Sequence, residues 1–250
     1  MMNPRLPRPL DRLFRFLEAR LDRKSYLGLR LTIGLVVIAL GIWLFGGLLE
    51  EVLDNAMLVQ MDLAAARWIH SATTLGGERI FVWVTDIGSP PAMVVIALVG
   101  VLVTFIRKHR LLAFTWAAAA AGGALLDYVL KTTVHRSRPE YAAAFLHGSS
   151  YSFPSGHAMG SIIGYGFLAY VLTLTVRWAA EHRRFVFIAA VVLTLLIGIS
   201  RVYLDVHYPS DVIGGWAAGL AWLAVCVTGY QFVTGRSALR HPPTPAPETP

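Results

Sequence analysis

The stretch LRLTIGLVVIALGIWLFGGLL, residues 29–49, contains one charged residue, Arg30, among aliphatic, aromatic and small side chains. A helix needs about 20 predominantly apolar residues to cross the hydrocarbon core of a bilayer, so this stretch predicts a membrane-spanning helix. Five more apolar runs follow along the chain, and each is bounded by charged residues or by Gly and Pro. These runs are residues 91–106, 111–130, 156–176, 185–202 and 212–233.

The composition of the 250-residue chain supports the same interpretation. Hydrophobic residues make up 56% of the chain, charged residues only 15%, and the mean hydropathy is +0.57. Soluble domains have about 25% charged residues, so the composition excludes an ordinary water-soluble globule, and it also excludes a disordered chain. The single cysteine, Cys226, excludes a disulfide framework.

Two further segments are apolar but interrupted or short. Residues 52–69 contain several polar and charged side chains, among them Asp62, and residues 79–84 end shortly before a Gly-Ser-Pro sequence. Amphipathic segments of this kind are typical of helices that lie at the bilayer interface. We therefore predict an all-α fold, a polytopic membrane bundle of six transmembrane helices with short interfacial helices.

The distribution of Lys and Arg predicts the orientation. With six spans both chain ends lie on one side of the membrane, and sixteen of the 22 Lys and Arg residues lie on that side. Cytoplasmic loops carry the excess of these residues, so we predict that both termini are cytoplasmic. The formal net charge of +7 is then an orientation signal, and we expect no nucleic-acid partner.

The sequence divides into three predicted parts. Residues 1–28 form a basic leader with apolar residues at helical spacing, which is typical of a cytoplasmic amphipathic helix on anionic lipid, although a solvated basic tail fits the same residues. Residues 29–235 form the six-span domain. Residues 236–250 are proline-rich and predict a disordered cytoplasmic tail.

Three short segments near predicted span ends are rich in cations, histidines and turn residues. They read KTTVHRSRP at 131–139, SFPSGHA at 152–158 and SRVYLDVHYPSD at 200–211. The third span ends, the fourth begins, the fifth ends and the sixth begins on the same outer face. We therefore expect the three segments to form one pocket.

The residues of this pocket favour an anionic ligand, above all a phosphate. A helix start offers free N–H groups and the positive end of the helix dipole, and Ser155, Gly156 and His157 stand at such a start. Arg and Lys side chains bind phosphate through charge-assisted hydrogen bonds. The cations that would complete the site are Lys131, Arg138 and Arg201.

Two other interpretations of the same residues compete with a phosphate site. Histidines close to aspartates are also typical of metal sites, but three nearby cations would repel a divalent ion, so we expect no metal. In a purely structural interpretation the basic side chains extend to lipid head groups and a histidine caps a helix. That interpretation fits any one of these residues, but not the whole set on one face.

In order and spacing, the three segments resemble the tripartite signature of the type 2 phosphatidic acid phosphatase superfamily. The patterns K-x-x-x-x-x-x-R-P, P-S-G-H and S-R-x-x-x-x-x-H-x-x-x-D match this chain at every fixed position. The resemblance extends to the six-span layout, over about residues 30–235. It implies a membrane-embedded, metal-independent phosphatase without a cofactor that acts on lipid phosphates or diphosphates.

The resemblance also implies a role for each residue. His207 would be the nucleophile that forms a phosphohistidine, Asp211 would hold the other ring nitrogen of His207, and His157 would protonate the leaving alkoxide and then activate water. If the chain is helical between positions 207 and 211, their spacing of four places both on one face. The residues that bind the phosphate would be Lys131, Arg138, Ser155, Gly156 and Arg201.

Residues near the signature are expected to have structural roles. Asp127 lies one helical turn before Lys131, and it either pairs with this lysine or is simply an acid at a helix end. Arg136 is expected to contact lipid head groups rather than the phosphate. Several glycines repeat every four residues, a spacing that lets membrane helices approach closely. They are Gly156, Gly160, Gly164, Gly215 and Gly219.

The predicted function is hydrolysis of a lipid phosphate at the extracytoplasmic face of a bacterial-type inner (plasma) membrane. Candidate substrates are phosphatidic acid, phosphatidylglycerol phosphate and undecaprenyl diphosphate. Three alternatives use the same pocket, namely a lipid phosphotransferase, a vanadate-type haloperoxidase and a non-enzymatic lipid-binding or transport protein. The lack of a soluble domain argues against the haloperoxidase, and the trio His157, His207 and Asp211 argues against binding alone, since binding needs only the cations.

Overall fold

The computed structural model describes residues 28–54, 57–139 and 151–240. Residues 1–27 of the predicted leader and residues 241–250 of the predicted tail lie outside the described residues. Within the described ranges the elements are helices, with no strand. In chain order they are α1 Gly28–Leu53, α2 Met57–Ala72, α3 Leu75–Asp86, α4 Pro90–Ile106, α5 Arg110–Val134, α6 Gly156–Thr175, α7 Arg177–Glu181, α8 Arg183–Tyr203 and α9 Pro209–Arg240.

Six segments in this part of the chain are long and apolar enough to cross a membrane, which confirms the predicted number of spans. Five of them correspond to α1, α5, α6, α8 and most of α9. The remaining one, Leu75–Ile106, consists of α3 and α4 with the turn at 87–89 between them. Residues 79–84 therefore lie inside a twelve-residue helix that leads directly into the predicted second span, and their interfacial position stays a prediction.

The last helix is longer than the sequence analysis predicted. α9 continues to Arg240, whereas the disordered tail was expected to begin at residue 236. Residues 236–240 contain neither Gly nor Pro, and the first proline after the helix is Pro242. Because proline is the residue that most strongly ends a helix, the composition of these five residues permits the longer α9.

The centre of the bundle is formed by α6 and α9. α9 packs along α1 and α6, and α6 also contacts α5 and α8. Between α5, α6 and α9 lies the main apolar core, in which Trp116 stacks obliquely on Phe167 at 5.4 Å between ring centroids. The buried residues of this core are Leu112, Trp116, Ala119, Met159, Ile163, Phe167, Val171 and Ala218.

Glycines set the distance between α6 and α9, which confirms the predicted packing role of the glycine repeat. A Cβ atom on Gly215 would lie 2.5 Å from the carbonyl oxygen of Ser155, and one on Gly219 would lie 2.8 Å from that of Met159. A Cβ on Gly164 would likewise lie 2.6 Å from the sulfur of Met93 in α4. The start of α6 is thus fixed against the first turns of α9.

Replacing Gly215 with alanine should destabilise the protein. The added methyl group would collide with backbone at Ser155, and overpacking of this kind typically costs about 1–3 kcal/mol. Gly229, in the same helix, is the matched control, because a Cβ there meets nothing within 4 Å and an alanine removes the helix penalty of glycine, about 0.5–1 kcal/mol. Thermal unfolding of the detergent-purified variants should therefore show opposite shifts, and equal shifts would contradict the close contact.

Candidate active site

The first signature segment begins at the end of α5. Lys131 lies in the last turn of this helix, and its ammonium group donates to Asp127 Oδ2 at 2.8 Å. The pairing of these two residues, one of two alternatives in the sequence analysis, is therefore confirmed. His135 then adopts a left-handed conformation with φ of 55°, which ends the helix. This turn directs Arg136 and Arg138 back across the end of the bundle.

The second segment forms the start of α6. Ser155 is the N-cap residue, but its side chain makes no capping hydrogen bond, and its buried hydroxyl has no partner among the described residues. A Cβ on Gly156 would lie 2.7 Å from Lys131 Nζ, so only glycine allows the lysine to lie this close to the helix start. The N–H groups of the first turn have no acceptor within the helix. Together these groups form a cluster of hydrogen-bond donors.

The third segment links α8 to α9. Arg201 lies in the last turn of α8 and is buried; one terminal nitrogen donates to Thr85 Oγ1 at 2.7 Å, and its Nε has no partner among the described residues. The carbonyl of Arg201 accepts hydrogen bonds from the backbone N–H groups of Val206 and His207, both at 3.2 Å. The side chain of His207 is thereby turned into the bundle, where the residue is only 2% exposed.

His207 and Asp211 are close, but not for the reason given by their spacing. His207 lies before α9 rather than in it, so the condition of a helix between positions 207 and 211 is not met. Asp211 lies in the first turn of α9 and accepts from the backbone N–H of Tyr208 at 2.9 Å, as in a capping box. This places Asp211 Oδ2 at 3.4 Å from His207 Nδ1.

The contacts of the His207 ring define its protonation state. Arg138 donates to the carbonyl of Val206 at 2.7 Å, and the same nitrogen lies 3.1 Å from His207 Nε2. Because a guanidinium group can only donate, Nε2 is the acceptor and Nδ1 carries the proton that faces Asp211. Burial lowers the pKa of His207 to about 4, and although Asp211 raises it, Arg138 and Arg201 lower it further. The imidazole is therefore neutral at neutral pH.

His157 completes the group of predicted residues. It lies in the first turn of α6, within electrostatic reach of His207 and of the positive charges of Arg201, Lys131 and Arg138. Ser155 joins this helix start to α9, because its N–H donates to the carbonyl of Asp211 at 2.9 Å. The structure thus brings the eight predicted site residues together at one end of the bundle. Metal-binding groups of three or more His, Cys, Asp or Glu side chains are absent from the ranges that the structure describes.

Arg136 does not contact lipid head groups, and that expectation is wrong. Its side chain is only 9% exposed and bridges two carboxylates, Asp211 Oδ1 at 2.5 Å and Asp62 Oδ2 at 2.8 Å. It also donates to Ser210 Oγ at 2.8 Å and lies over the ring of Tyr208 at 4.4 Å. Arg136 is therefore a buried structural cation that fixes the carboxylate next to His207.

Sequence reasoning missed three residues that support the site. Asp62 in α2 accepts from the N–H of Ser210 at 3.2 Å and from its hydroxyl group. Ser152 donates from its hydroxyl group to Asp211 Oδ2 and lies 3.4 Å from His207 Nδ1. Thr85 in α3 binds Arg201. The only local signal for Asp62 was a carboxylate inside an apolar segment, and Ser152 stood inside the second segment but outside its fixed pattern.

Replacing Asp62 with asparagine should weaken both the stability and the activity of the protein. Removing one partner of a buried ion pair costs about 3–5 kcal/mol. Residues that orient metal ligands through hydrogen bonds contribute about 10- to 100-fold to activity, and we expect an effect of similar size for a residue that holds Asp211 through Arg136. We expect kcat to fall while KM changes little, because Asp62 touches Arg136 and Ser210 rather than the pocket.

The matched control for this variant is Asp54→Asn, which alters an exposed carboxylate near the start of α2. Steady-state kinetics and thermal unfolding of both variants, measured in the same detergent, check the prediction. If Asp62→Asn matched Asp54→Asn in both measurements, the bridge through Arg136 would have no role in the site.

Comparison with known proteins gives a family and several relatives of this chain. The model of the PAP2 superfamily matches residues 110–234. Phosphatidylglycerophosphatase B of Bacillus subtilis is 46% identical over 96 residues, which cover 38% of this chain and 47% of that protein. An undecaprenyl-diphosphatase of Sulfolobus acidocaldarius is 37% identical over 76 residues, 30% of this chain and 32% of that protein. The chain thus spans about half or less of the curated relatives it matches.

The likeness to a solved structure is more extensive. The crystal structure of a transmembrane PAP2 type phosphatidylglycerolphosphate phosphatase from Bacillus subtilis matches with a TM-score of 0.67 and 29% identity. This match covers 82% of the present chain and 99% of that one. The family model covers half of the chain, including all three signature segments. The chain therefore belongs to the PAP2 superfamily, with its polytopic membrane fold.

Proposed function

We propose that this protein is a metal-independent phosphatase that removes phosphate from a membrane lipid through a phosphohistidine on His207. The observation that carries the proposal is the geometry of that ring. Its Nε2 lies 3.1 Å from a guanidinium nitrogen of Arg138, while its Nδ1 faces Asp211. A neutral, oriented imidazole next to phosphate-binding cations is the arrangement that nucleophilic attack on phosphorus requires.

The first half of the reaction forms the phosphoenzyme. Nε2 attacks phosphorus, an N–P bond forms, and the bond to the lipid oxygen breaks. The departing alkoxide takes a proton from His157, a general acid contribution that is typically worth 10²- to 10⁴-fold, roughly. The positive charge that develops on the imidazole is stabilised by Asp211, which faces the Nδ1 proton. The fixed charge of Arg136 keeps this carboxylate in position.

The second half returns the enzyme to its starting state. Water attacks phosphorus on the side that the lipid has left and gives a proton to His157, which is now the base. The N–P bond breaks and its electron pair returns to Nε2, so that phosphate is released. Charge on the equatorial oxygens is stabilised throughout by Lys131, Arg138, Arg201, the N–H group of Gly156 and the hydroxyl group of Ser155. The unpartnered Ser155 hydroxyl and Arg201 Nε are suited to such a ligand.

The lipid-phosphate class is supported by the relatives and by the surroundings of the site. The matched proteins are named phosphatidylglycerophosphatase B, undecaprenyl-diphosphatase and lipid A 1-phosphatase, all of which are names of lipid phosphate phosphatases. The helix ends that form the site are parts of apolar candidate spans. A lipid can therefore enter from the bilayer while its phosphate meets the cations.

The orientation that we propose places the site on the extracytoplasmic face of the inner membrane. The opposite end of the bundle carries two groups of cations. Arg107, Lys108 and Arg110 lie at the turn after α4 and the start of α5, and Arg177, Arg183 and Arg184 lie in α7 and at the start of α8. The excess of Lys and Arg is typical of cytoplasmic loops. The same rule keeps the chain termini cytoplasmic, as predicted for the basic leader and the tail.

Phosphate release by the detergent-purified full chain tests the proposal. The substrates are phosphatidic acid, phosphatidylglycerol phosphate and undecaprenyl diphosphate, each with and without a metal chelator. We expect release from at least one lipid and no effect of the chelator. Product analysis with a labelled phosphate and an added lipid alcohol separates hydrolysis from transfer, because transfer leaves the label on a lipid. Release from none of the three, or loss of activity with chelator, would contradict the proposal.

A further inference from the structure

An apolar groove with a volume of about 460 Å³ lies between α4, α5 and α6. Its wall on α5 consists of small residues between positions 117 and 124, and Gly160 and Gly164 continue this narrow lining on α6. The groove extends from Pro90 and Asp127 at one end to Val101 and Trp116 at the other. Small side chains on two of its three helices leave room for a flexible hydrocarbon chain.

One end of the groove reaches the candidate active site. Asp127 lines the groove and accepts a hydrogen bond from Lys131 at 2.8 Å. A Cβ on Gly156 would lie 2.7 Å from Lys131 Nζ and 3.0 Å from Asp127 Oδ2, so the start of α6 contacts the same pair. A phosphate bound at Lys131 and Gly156 would thus have the open end of an apolar groove beside it.

The other end is closed by Trp116. This side chain is only 3% exposed, and its ring reaches from α5 to α4, where a Cβ on Gly100 would lie 2.1 Å from Cη2. Trp116 also lines a second groove of about 370 Å³, which extends to Arg107 and His109 at the opposite end of the bundle. The indole ring therefore borders both apolar spaces, the second of which is lined mainly by α4 and α6.

We propose that Trp116 determines the length of the lipid chain that the enzyme recognises, by closing the groove in which this chain lies. The inference rests on the proposed lipid phosphatase function and extends it to the apolar part of the substrate. From Asp127 to Trp116 the helix rises about 16 Å, which is close to the depth of one leaflet, half of a hydrocarbon core about 30 Å thick. The groove thus accommodates about one leaflet-length chain, and longer chains gain no further contact beyond the indole.

The test is the dependence of kcat/KM on chain length, measured with a series of phosphatidic acids from dihexanoyl to distearoyl. Wild-type protein should gain with each added pair of methylenes and then reach a plateau. Trp116→Ala joins the two grooves and should raise the ratio of the longest to the shortest substrate by about tenfold, the gain from burying two more methylenes. Ala120→Leu fills the groove from its α5 wall and should lower the same ratio.

Each variant is compared with itself across the series, so a partly inactive preparation does not change the ratio. If the alanine variant does not fold, Trp116→Phe replaces it in the test, because the smaller phenyl ring also enlarges the groove, although by less. Trp178→Ala removes an exposed tryptophan on α7, outside both grooves, and should leave the ratio at the wild-type value. Unchanged ratios in the Trp116 and Ala120 variants, with an active wild type, would overturn the role of the groove. A wild type without activity on every lipid would instead contradict the proposed function.

Discussion

His207→Ala should lower phosphate release from a lipid phosphate by at least about 10⁴-fold, since loss of a catalytic nucleophile in other hydrolases has effects of this size or larger. In the proposed first step the attacking atom is Nε2 of His207, and the alanine variant lacks this atom. The cations remain in the variant, so substrate binding should change only a few-fold. Single-turnover rates together with equilibrium binding of the lipid measure the two effects separately.

The control for this variant is His182→Ala. His182 is exposed and lies beyond α7, at the opposite end of the bundle from His207. Its Nδ1 lies 2.9 Å from the carbonyl oxygen of Trp178, and its ring stacks on the Trp178 indole. We expect wild-type kinetics from it. If His207→Ala kept its rate within tenfold of wild type, His207 would not be the nucleophile.

His157→Ala should have the second largest effect, and its size should depend on the leaving group. A general acid typically contributes about 10²- to 10⁴-fold, and a lipid alkoxide is a poor leaving group that needs this proton. An aryl phosphate has a much better leaving group, so the variant should form the phosphoenzyme from this substrate at a rate much closer to that of wild type. The variant should then release one equivalent of phenol rapidly, followed by slow turnover, because water also lacks its base.

Stopped-flow measurement of phenol release, with lipid phosphate hydrolysis in parallel, checks this prediction. We expect a burst of phenol equal to the concentration of active enzyme. We also expect the rate of lipid phosphate hydrolysis to fall by a larger factor than the rate of the first step with the aryl phosphate. If the rates with both substrates fell by the same factor and no burst of phenol appeared, His157 would bind the phosphate rather than transfer protons.

The apolar spans and the signature segments were predictable because both are local features of the sequence. A helix that crosses a bilayer must be apolar over about 20 residues, so hydropathy alone indicates α1, α5, α6, α8 and α9. The contacts of Lys131 with Asp127 also follow from a spacing of four on one helix. What hydropathy does not decide is whether a short apolar helix such as α3 lies at the interface or extends a span.

The support of the Asp211 carboxylate was not predictable, because it depends on contacts between residues that are distant in sequence. Asp62 and Ser210 are separated by 148 positions, and Arg136 lies 75 positions from Asp211. From its neighbours in the sequence alone, Arg136 is a cation at the end of a predicted span, and such a cation is usually expected to contact lipid head groups. Only the fold shows that α2 brings a second carboxylate to it.

The contact between His207 and Asp211 was expected, but it forms without a helix between the two residues. A spacing of four is ambiguous, because a helical turn and a loop followed by a capping residue both bring such residues together. Pro209 begins α9, and proline is favoured in the first turn of a helix, which is the sequence signal that places His207 outside it. This geometry leaves the His207 ring free to turn its Nε2 toward Arg138.

The most direct test of the account is to identify the phosphorylated atom. His157→Ala protein is mixed with a labelled aryl phosphate, whose leaving group does not need the general acid. The mixture is quenched in base, where phosphohistidine is stable, and analysed by peptide mass spectrometry and by chromatography of the phosphohistidine isomers. We expect one labelled residue, His207, with the phosphoryl group on Nε2. A label on another residue, a label on Nδ1, or turnover without any trapped phosphoenzyme would contradict it.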